Sequence, residues 1–173
     1  MPRFLVMTVI GPDRPGLVEE LSKTIATHGG SWLESRMAHL AGHFTGLLRV
    51  ECPDDRHEEL LSSLQGLANL TIHIAEELAR QDGKQKSLRF DVVANDRPGI
   101  VHQLASAIVR IGGNVEELTS NLESAPHAGH PVFRATGSVT VPVDFDNATL
   151  IAALEALSPD QIGRAHVLTP VTS

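Results

Sequence analysis

The hydrophobic pattern of this chain is written twice. Phe4–Ile10 is an apolar run rich in strand formers, and Leu88–Ala94 sets Leu88, Phe90 and Val92 against Arg89 and Asp91, the two-residue period of a half-buried strand. Each run meets a short polar turn and then apolar residues at helical spacing: Leu17, Val18, Leu21 and Ile25 in one case, Ile100, Val101, Leu104 and Ile108 in the other. Gly29-Gly30 and Gly112-Gly113 are placed to stop these helices. Beyond the first pair, Trp32–Leu40 and Phe44–Val50 read as a hairpin joined by Ala41-Gly42-His43. Asp54 or Asp55 is placed to cap a helix carrying Leu60, Leu61, Leu64 and Leu67, and Leu70–Ile74 follows as a fourth strand. The second half offers Val115–Leu122 and Val132–Val141 as a hairpin with the longer loop ESAPHAGH, then a helix marked by Leu150, Leu154 and Leu157.

A shift of 83 aligns Asp13-Arg14-Pro15-Gly16 with Asp96-Arg97-Pro98-Gly99, and carries the core positions, the Gly-Gly pairs and Glu34 onto Glu117 with them. The chain is two copies of one unit. The predicted order in each is β-α-β-β-α-β, so the fold class is α+β: two tandem ferredoxin-like domains with helices on one face of a four-stranded antiparallel sheet. The expected boundaries are 1–78 for the first domain, 79–86 for a polar linker without periodicity, and 87–161 for the second. Domains of this size are marginal alone, so the bare sheet face or the sheet edge is expected to meet the other copy or another chain. Residues 162–173, IGRAHVLTPVTS, stand where the second unit needs its last strand. They contain Pro170 and resemble the translation of a common sequencing-adapter oligonucleotide, so they read as a tail foreign to the native chain, with a weak edge strand over Ala165–Leu168 as the alternative.

Composition narrows the classes. The 173 residues are 42% hydrophobic and 20% charged, as in a soluble globular protein. MPRFLVMTVI reads as a strand, not a signal peptide, and no apolar run approaches a bilayer span. One cysteine, Cys52, excludes an intrachain disulfide and fits the cytoplasm; next to Pro53 at a strand end it reads as half-buried. The formal charge of −7 and the 3% aromatic content disfavour direct nucleic-acid binding, by phosphate pairing and by base stacking alike.

The repeated D-R-P-G has two readings. Fold alone accounts for it as a capping carboxylate, Asp13 or Asp96, with Pro15 or Pro98 in the first helical turn. Yet a turn and a cap do not call for Arg at the same place twice. The functional reading uses the free N–H groups and dipole of the helix start as an anion receptor. Gly16 and Gly99 would let a ligand carboxylate approach the backbone, and Asp13 or Asp96 could meet an ammonium group. Such an arrangement suits glycine or another small amino acid.

The strand, the D-R-P-G-[LI]-V turn, the helix and the Gly-Gly before a hairpin resemble ACT domains, small amino-acid-sensing modules. Two of them, over about residues 3–157, resemble the glycine cleavage system transcriptional repressor family. The resemblance implies a ligand held where the start of the first helix meets the second strand of a neighbouring ACT domain. It points to Asp13, Arg14, Pro15, Gly16 and Leu17 with Ser31 and Trp32, and to Asn95, Asp96, Arg97, Pro98, Gly99 and Ile100 with Asn114 and Val115. The family often has Asn after Gly-Gly; Asn114 keeps it and Ser31 does not, which favours the second unit. No enzyme activity and no cofactor are expected. Transcription would be controlled through a protein partner such as a DNA-binding regulator, and the chain would form a homo-oligomer through ACT–ACT contacts. One rival is the ACT regulatory fragment of an amino-acid or one-carbon metabolism enzyme. Another is a pairing module without a ligand.

Other side-chain groupings carry less. His127 and His130 in the long loop, and His39 and His43 at the hairpin, lack the third and fourth ligands zinc requires, so no metal is expected. The paired glutamates fall on solvated faces. No nucleophile–base order, phosphate loop or dinucleotide fingerprint appears, so no catalytic residue is assigned.

Overall fold

Leu5, Met7 and Val9 are buried while the alternate positions Phe4, Thr8 and Ile10 are exposed and Val6 is half-buried, so Arg3–Pro12 forms strand β1 with one face on a core and the other turned outward. The computed structural model describes residues 1–79, 83–124, 129–157 and 165–168. It divides into two compact units, 1–80 and 81–173. In the first, β1 is followed by α1 (Leu17–Thr27), β2 (Ser31–Leu40), β3 (His43–Cys52), a 3-10 turn (Asp54–Arg56), α2 (His57–Gln65) and β4 (Thr71–Glu76). In the second, β5 (Gln85–Asn95), α3 (Ile100–Arg110), β6 (Asn114–Ser124), β7 (Pro131–Pro142), α4 (Asn147–Glu155) and β8 (Ala165–Leu168) repeat the order. The sheets run β2-β3-β1-β4 and β6-β7-β5-β8, antiparallel throughout. These are two tandem ferredoxin-like βαββαβ units.

The core of each unit lies between its helices and one sheet face. Leu17, Leu21, Ile25, Leu60 and Leu64 meet Leu5, Met7, Val9, Leu48 and Val50. Ile100, Leu104, Ile108, Leu150 and Leu154 meet Leu88, Phe90, Val92, Ala135 and Val139. Both Gly-Gly pairs close their helix in the same way. Gly29 and Gly112 take φ of +72° and +81°, and the following Gly30 and Gly113 N–H groups donate to Ile25 and Ile108 carbonyls at 2.9 and 3.0 Å, the Schellman arrangement. A Cβ on Gly30 would lie 2.8 Å from Ile25 Cγ2.

The outer sheet faces differ. In the first unit Phe4, Ile10 and Leu47 lie on it and are exposed, with the Arg49 guanidinium 5.3 Å from the Phe4 ring centre. In the second, Arg134 pairs with Asp91 at 2.7 Å and approaches Glu123 at 3.9 Å, which pushes the guanidinium pKa up chiefly through the Asp91 hydrogen bond.

Several expectations need correction. Gln85 and Lys86, read as linker, belong to β5: they pair with Pro142 and Val141, and Lys86 Nζ donates to the Phe145 carbonyl at 2.6 Å. Neither Asp54 nor Asp55 caps α2; they sit in the 3-10 turn, and Asp54 pairs instead with Arg3. Asp146 does cap α4, its Oδ1 accepting from the Ala148 N–H at 3.0 Å. Ala165–Leu168 forms β8 on β5 from Arg89 to Val92, which is the edge-strand alternative. Cys52 is fully buried, not half-buried, because it takes an inward position of β3.

Candidate functional site

Both D-R-P-G turns are built alike, and differently from a capped helix start. Gly16 and Gly99 are themselves the N-caps, with φ, ψ of 88°, 1° and 83°, 7°, and no side chain bonds to either cap. These angles are those of the third residue of a type II turn, with Pro in the second place. In the second unit the closing bond is present, the Ile100 N–H donating to the Arg97 carbonyl at 3.2 Å. Pro15 and Pro98 therefore precede the cap and are not in the first helical turn. Asp13 and Asp96 lie three residues before it and do not cap. The Asp13 N–H is bound to the Gly42 carbonyl at 2.9 Å, which ties the turn to the hairpin tip.

The two arginines turn inward to their own helices. Arg14 pairs with Glu20. Arg97 donates twice to Gln103 Oε1, at 3.0 and 2.6 Å, and once to the Leu157 carbonyl at 2.8 Å. Glu20 and Gln103 are equivalent under the shift of 83. The repeated Arg is thus accounted for by a clip between turn and helix, a partner six residues on that helical periodicity does not single out. Leu17 and Ile100 are core residues, 3% and 5% exposed, so their side chains are not available to a ligand, and the Ile100 N–H is already held by the turn.

What remains open at each turn is a donor surface. The first intrahelical bonds are Glu20 N–H to Gly16 O at 2.9 Å and Gln103 N–H to Gly99 O at 3.0 Å. The N–H groups ahead of these are the ones a helix leaves without an internal acceptor; in the second unit that of Ile100 is taken by the Arg97 carbonyl, which leaves those of Val101 and His102. A Cβ placed on Gly16 or Gly99 would meet nothing within 4 Å. Asp13 and Asp96 are exposed beside this space. In the second unit the buried Oδ1 of Asn95 has no hydrogen-bond partner, an acceptor that composition could not reveal.

Within one unit the expected halves of the site are apart. The turn follows the end of β1, where Pro12 pairs with His43, whereas Ser31 pairs with Glu51, itself opposite Phe4 near the start of β1. In the second unit Asn95 pairs with Val132, while Asn114 pairs with Thr140, opposite Ser87. Eleven-residue helices, about 16 Å long at 1.5 Å per residue, lie between. Trp32 and Val115 are partly buried against their own cores. The structure therefore does not unite Ser31 with Gly16, or Asn114 with Gly99, in one unit.

Among the described residues no group of three or more His, Cys, Asp or Glu could hold a metal; His127 lies outside them. The Cys52 thiol is pushed up from its ordinary 9.0, first by burial and then by the Asp55 carboxylate. Among the described residues no helix is long and apolar enough to cross a membrane.

Residues 3–74 match the model of the ACT domain family, and the second unit repeats the strand order of the first, a tandem ACT-like fold. Two solved structures share that fold from end to end. One is an unknown protein from Galdieria sulphuraria, 23% identical with a TM-score of 0.85, the match covering 99% of this chain and 100% of that one. The other is described as a "putative glycine cleavage system transcriptional repressor", 18% identical with a TM-score of 0.70, covering 98% and 99%. No curated protein matches the chain in sequence.

Proposed function

We propose that this chain is an amino-acid-responsive regulatory protein, akin to a glycine cleavage system transcriptional repressor. It binds a small amino acid such as glycine and acts in the cytoplasm through a protein partner, a DNA-binding regulator, without touching DNA itself. The ligand carboxylate lies on the open N–H groups at the start of α1 or α3, over Gly16 or Gly99. Its ammonium group meets Asp13 or Asp96, and in the second unit Asn95 Oδ1 offers a further acceptor. Ser31 or Asn114 comes from a neighbouring ACT unit, because the unit that owns the turn holds its own Ser31 or Asn114 at the far end. A ligand shared by two units strengthens their contact, which is how occupancy would bias an assembly.

The observation that carries this reading is the helix start built twice with no side-chain cap, a left-handed Gly and open space beside it. The test is thermal unfolding of the full chain with each of the twenty amino acids at millimolar concentration. A ligand at 100 times its Kd adds about 2.7 kcal/mol. Stabilisation by glycine or serine, lost in Asp96→Ala, is the expected result. No response to any amino acid would sink the proposal in favour of a ligand-free pairing module.

A further inference from the structure

The helix layers of the two units differ at one seam. In the first unit Ser63 of α2 meets His28 at the end of α1. His28 Nδ1 stands 2.8 Å from the Thr24 carbonyl, which can only accept, so Nδ1 carries the proton and Nε2 accepts from Ser63 Oγ at 3.0 Å. That bond bridges the two helices. In the second unit the shift of 83 replaces His28 by Ile111, and the shift of 90 that aligns Leu60 with Leu150 and Leu64 with Leu154 replaces Ser63 by Ala153. The bridge is gone, and a groove of about 380 Å³ lies between α3 and α4.

Its chemistry is two-sided. Ala107, Ile111, Ala153 and Ala156 give it an apolar floor. Ser106 and Arg110 lie on one row of α3, four residues apart, and Gln103 sits beside them. Arg97 already occupies Gln103 Oε1 with two hydrogen bonds, which leaves the amide NH₂ of Gln103 as a donor. The described lining, which also includes His102, thus offers a guanidinium and donor groups and no carboxylate, in a protein of net charge −7. A volume of this size, with an apolar floor and a few polar groups along its edge, falls in the range of small-molecule sites.

The geometry points to a second ligand site, in the groove between α3 and α4, for a small apolar monocarboxylate. The carboxylate pairs with Arg110 and the Ser106 hydroxyl one turn before it, and the hydrocarbon lies on the alanine and Ile111 floor. The site is separate from the D-R-P-G turns and does not depend on the amino-acid reading.

Isothermal titration of the full chain with octanoate, and with 1-octanol as its uncharged counterpart, tests it. Octanoate should bind saturably, and octanol about tenfold more weakly, the loss of a charge-assisted hydrogen bond. Arg110→Gln should bring octanoate down to the level of octanol. Ala153→Leu should abolish both by filling the groove. The double change Ile111→His with Ala153→Ser rebuilds the first unit's bridge with a pair this chain already uses, and should abolish both without relying on overpacking. The glycine response of these variants should be that of the unsubstituted chain. The inference is overturned if octanoate does not saturate, or if it binds Ala153→Leu and the double variant as well as the parent. It is equally overturned if those variants change only the oligomeric state, because the groove is then a protein contact.

Discussion

Arg97 grips Gln103 through two donors to one oxygen, at 3.0 and 2.6 Å, and with the same guanidinium holds the Leu157 carbonyl at 2.8 Å. The turn before α3 is thereby fastened both to α3 and to Leu157, the second residue past the end of α4. Arg14 repeats only the first of these links, in an exposed pair with Glu20. Arg97→Ala should therefore cost about 1–2 kcal/mol, since a part-buried carbonyl and an amide lose their donor together. Arg14→Ala should cost about 1 kcal/mol or less, the range of exposed ion pairs. Urea unfolding of the full chain measures both, and amide exchange should show the Arg97 loss at the end of α4. Equal costs would mean that the Leu157 link contributes nothing.

Gly16 and Gly99 are required for backbone conformation. At φ of +88° and +83° an L side chain is strained, but a Cβ there meets no atom within 4 Å. Ala at either site should cost about 1–2 kcal/mol from the backbone alone, and Asn, which tolerates this region, should cost less. Gly137 is the opposite case: its Cβ would come within 2.0 Å of the Glu117 carbonyl oxygen. Gly137→Ala should be the more damaging, because β6 must move off β7 where the Val115/Glu117 bulge already interrupts their register. The ordering of unfolding midpoints, Gly99→Asn above Gly99→Ala above Gly137→Ala, checks this.

The element order was legible because side-chain burial and backbone conformation leave periodic marks. An apolar run of strand formers marked β1, alternation marked β5, the Leu17, Leu21, Ile25 spacing marked α1, and Gly-Gly marked its stop. Strand ends were not legible, since the ladder runs on through Gln85 and Lys86 on backbone pairing after the apolar pattern has faded. The helix starts were misread for a definable reason. Pro-Gly spends two residues on a type II turn, so an Asp that looks like a cap in the sequence falls too far from the first helical N–H. At the candidate site the residue types were readable but their partners were not. Arg97 to Gln103 is neither a helical nor a strand spacing, and the orphaned Asn95 Oδ1 depends on burial that one residue's identity does not encode.

Cys52 gives the chain a pH dependence on the alkaline side. Burial and Asp55 raise its thiol pKa above the ordinary 9.0, so the folded state holds that proton more tightly than the unfolded state. The associated stability is fully present below the unfolded thiol's pKa and is lost as pH rises from there through the folded value. The urea midpoint should be level to about pH 8 and then fall as the unfolded thiol ionises. Cys52→Ala should start lower, for its lost packing, but without the thiol's share of that slope. The native thiol should also react slowly with alkylating reagents at pH 8. An unchanged slope in the alanine variant would assign the alkaline loss to other groups.

Asp13, Asp96 and Asp146 precede helices, but only Asp146 bonds to one. Asp146→Ala should cost about 1 kcal/mol through loss of the bond to the Ala148 N–H. Asp13→Ala and Asp96→Ala remove exposed carboxylates that bond to neither helix cap, and without ligand should change stability by no more than about 0.5 kcal/mol. With glycine present the order reverses if the proposed site is right: Asp146→Ala keeps the ligand's stabilisation, and Asp96→Ala loses it. Asn95→Ala should weaken the response less, because it removes a neutral acceptor and not a charge. Denaturation of the three aspartate variants with and without glycine separates the two effects. If Asp96→Ala is as damaging as Asp146→Ala in the absence of ligand, the carboxylate serves the fold, and the amino group of the proposed ligand has no anionic partner at the second turn.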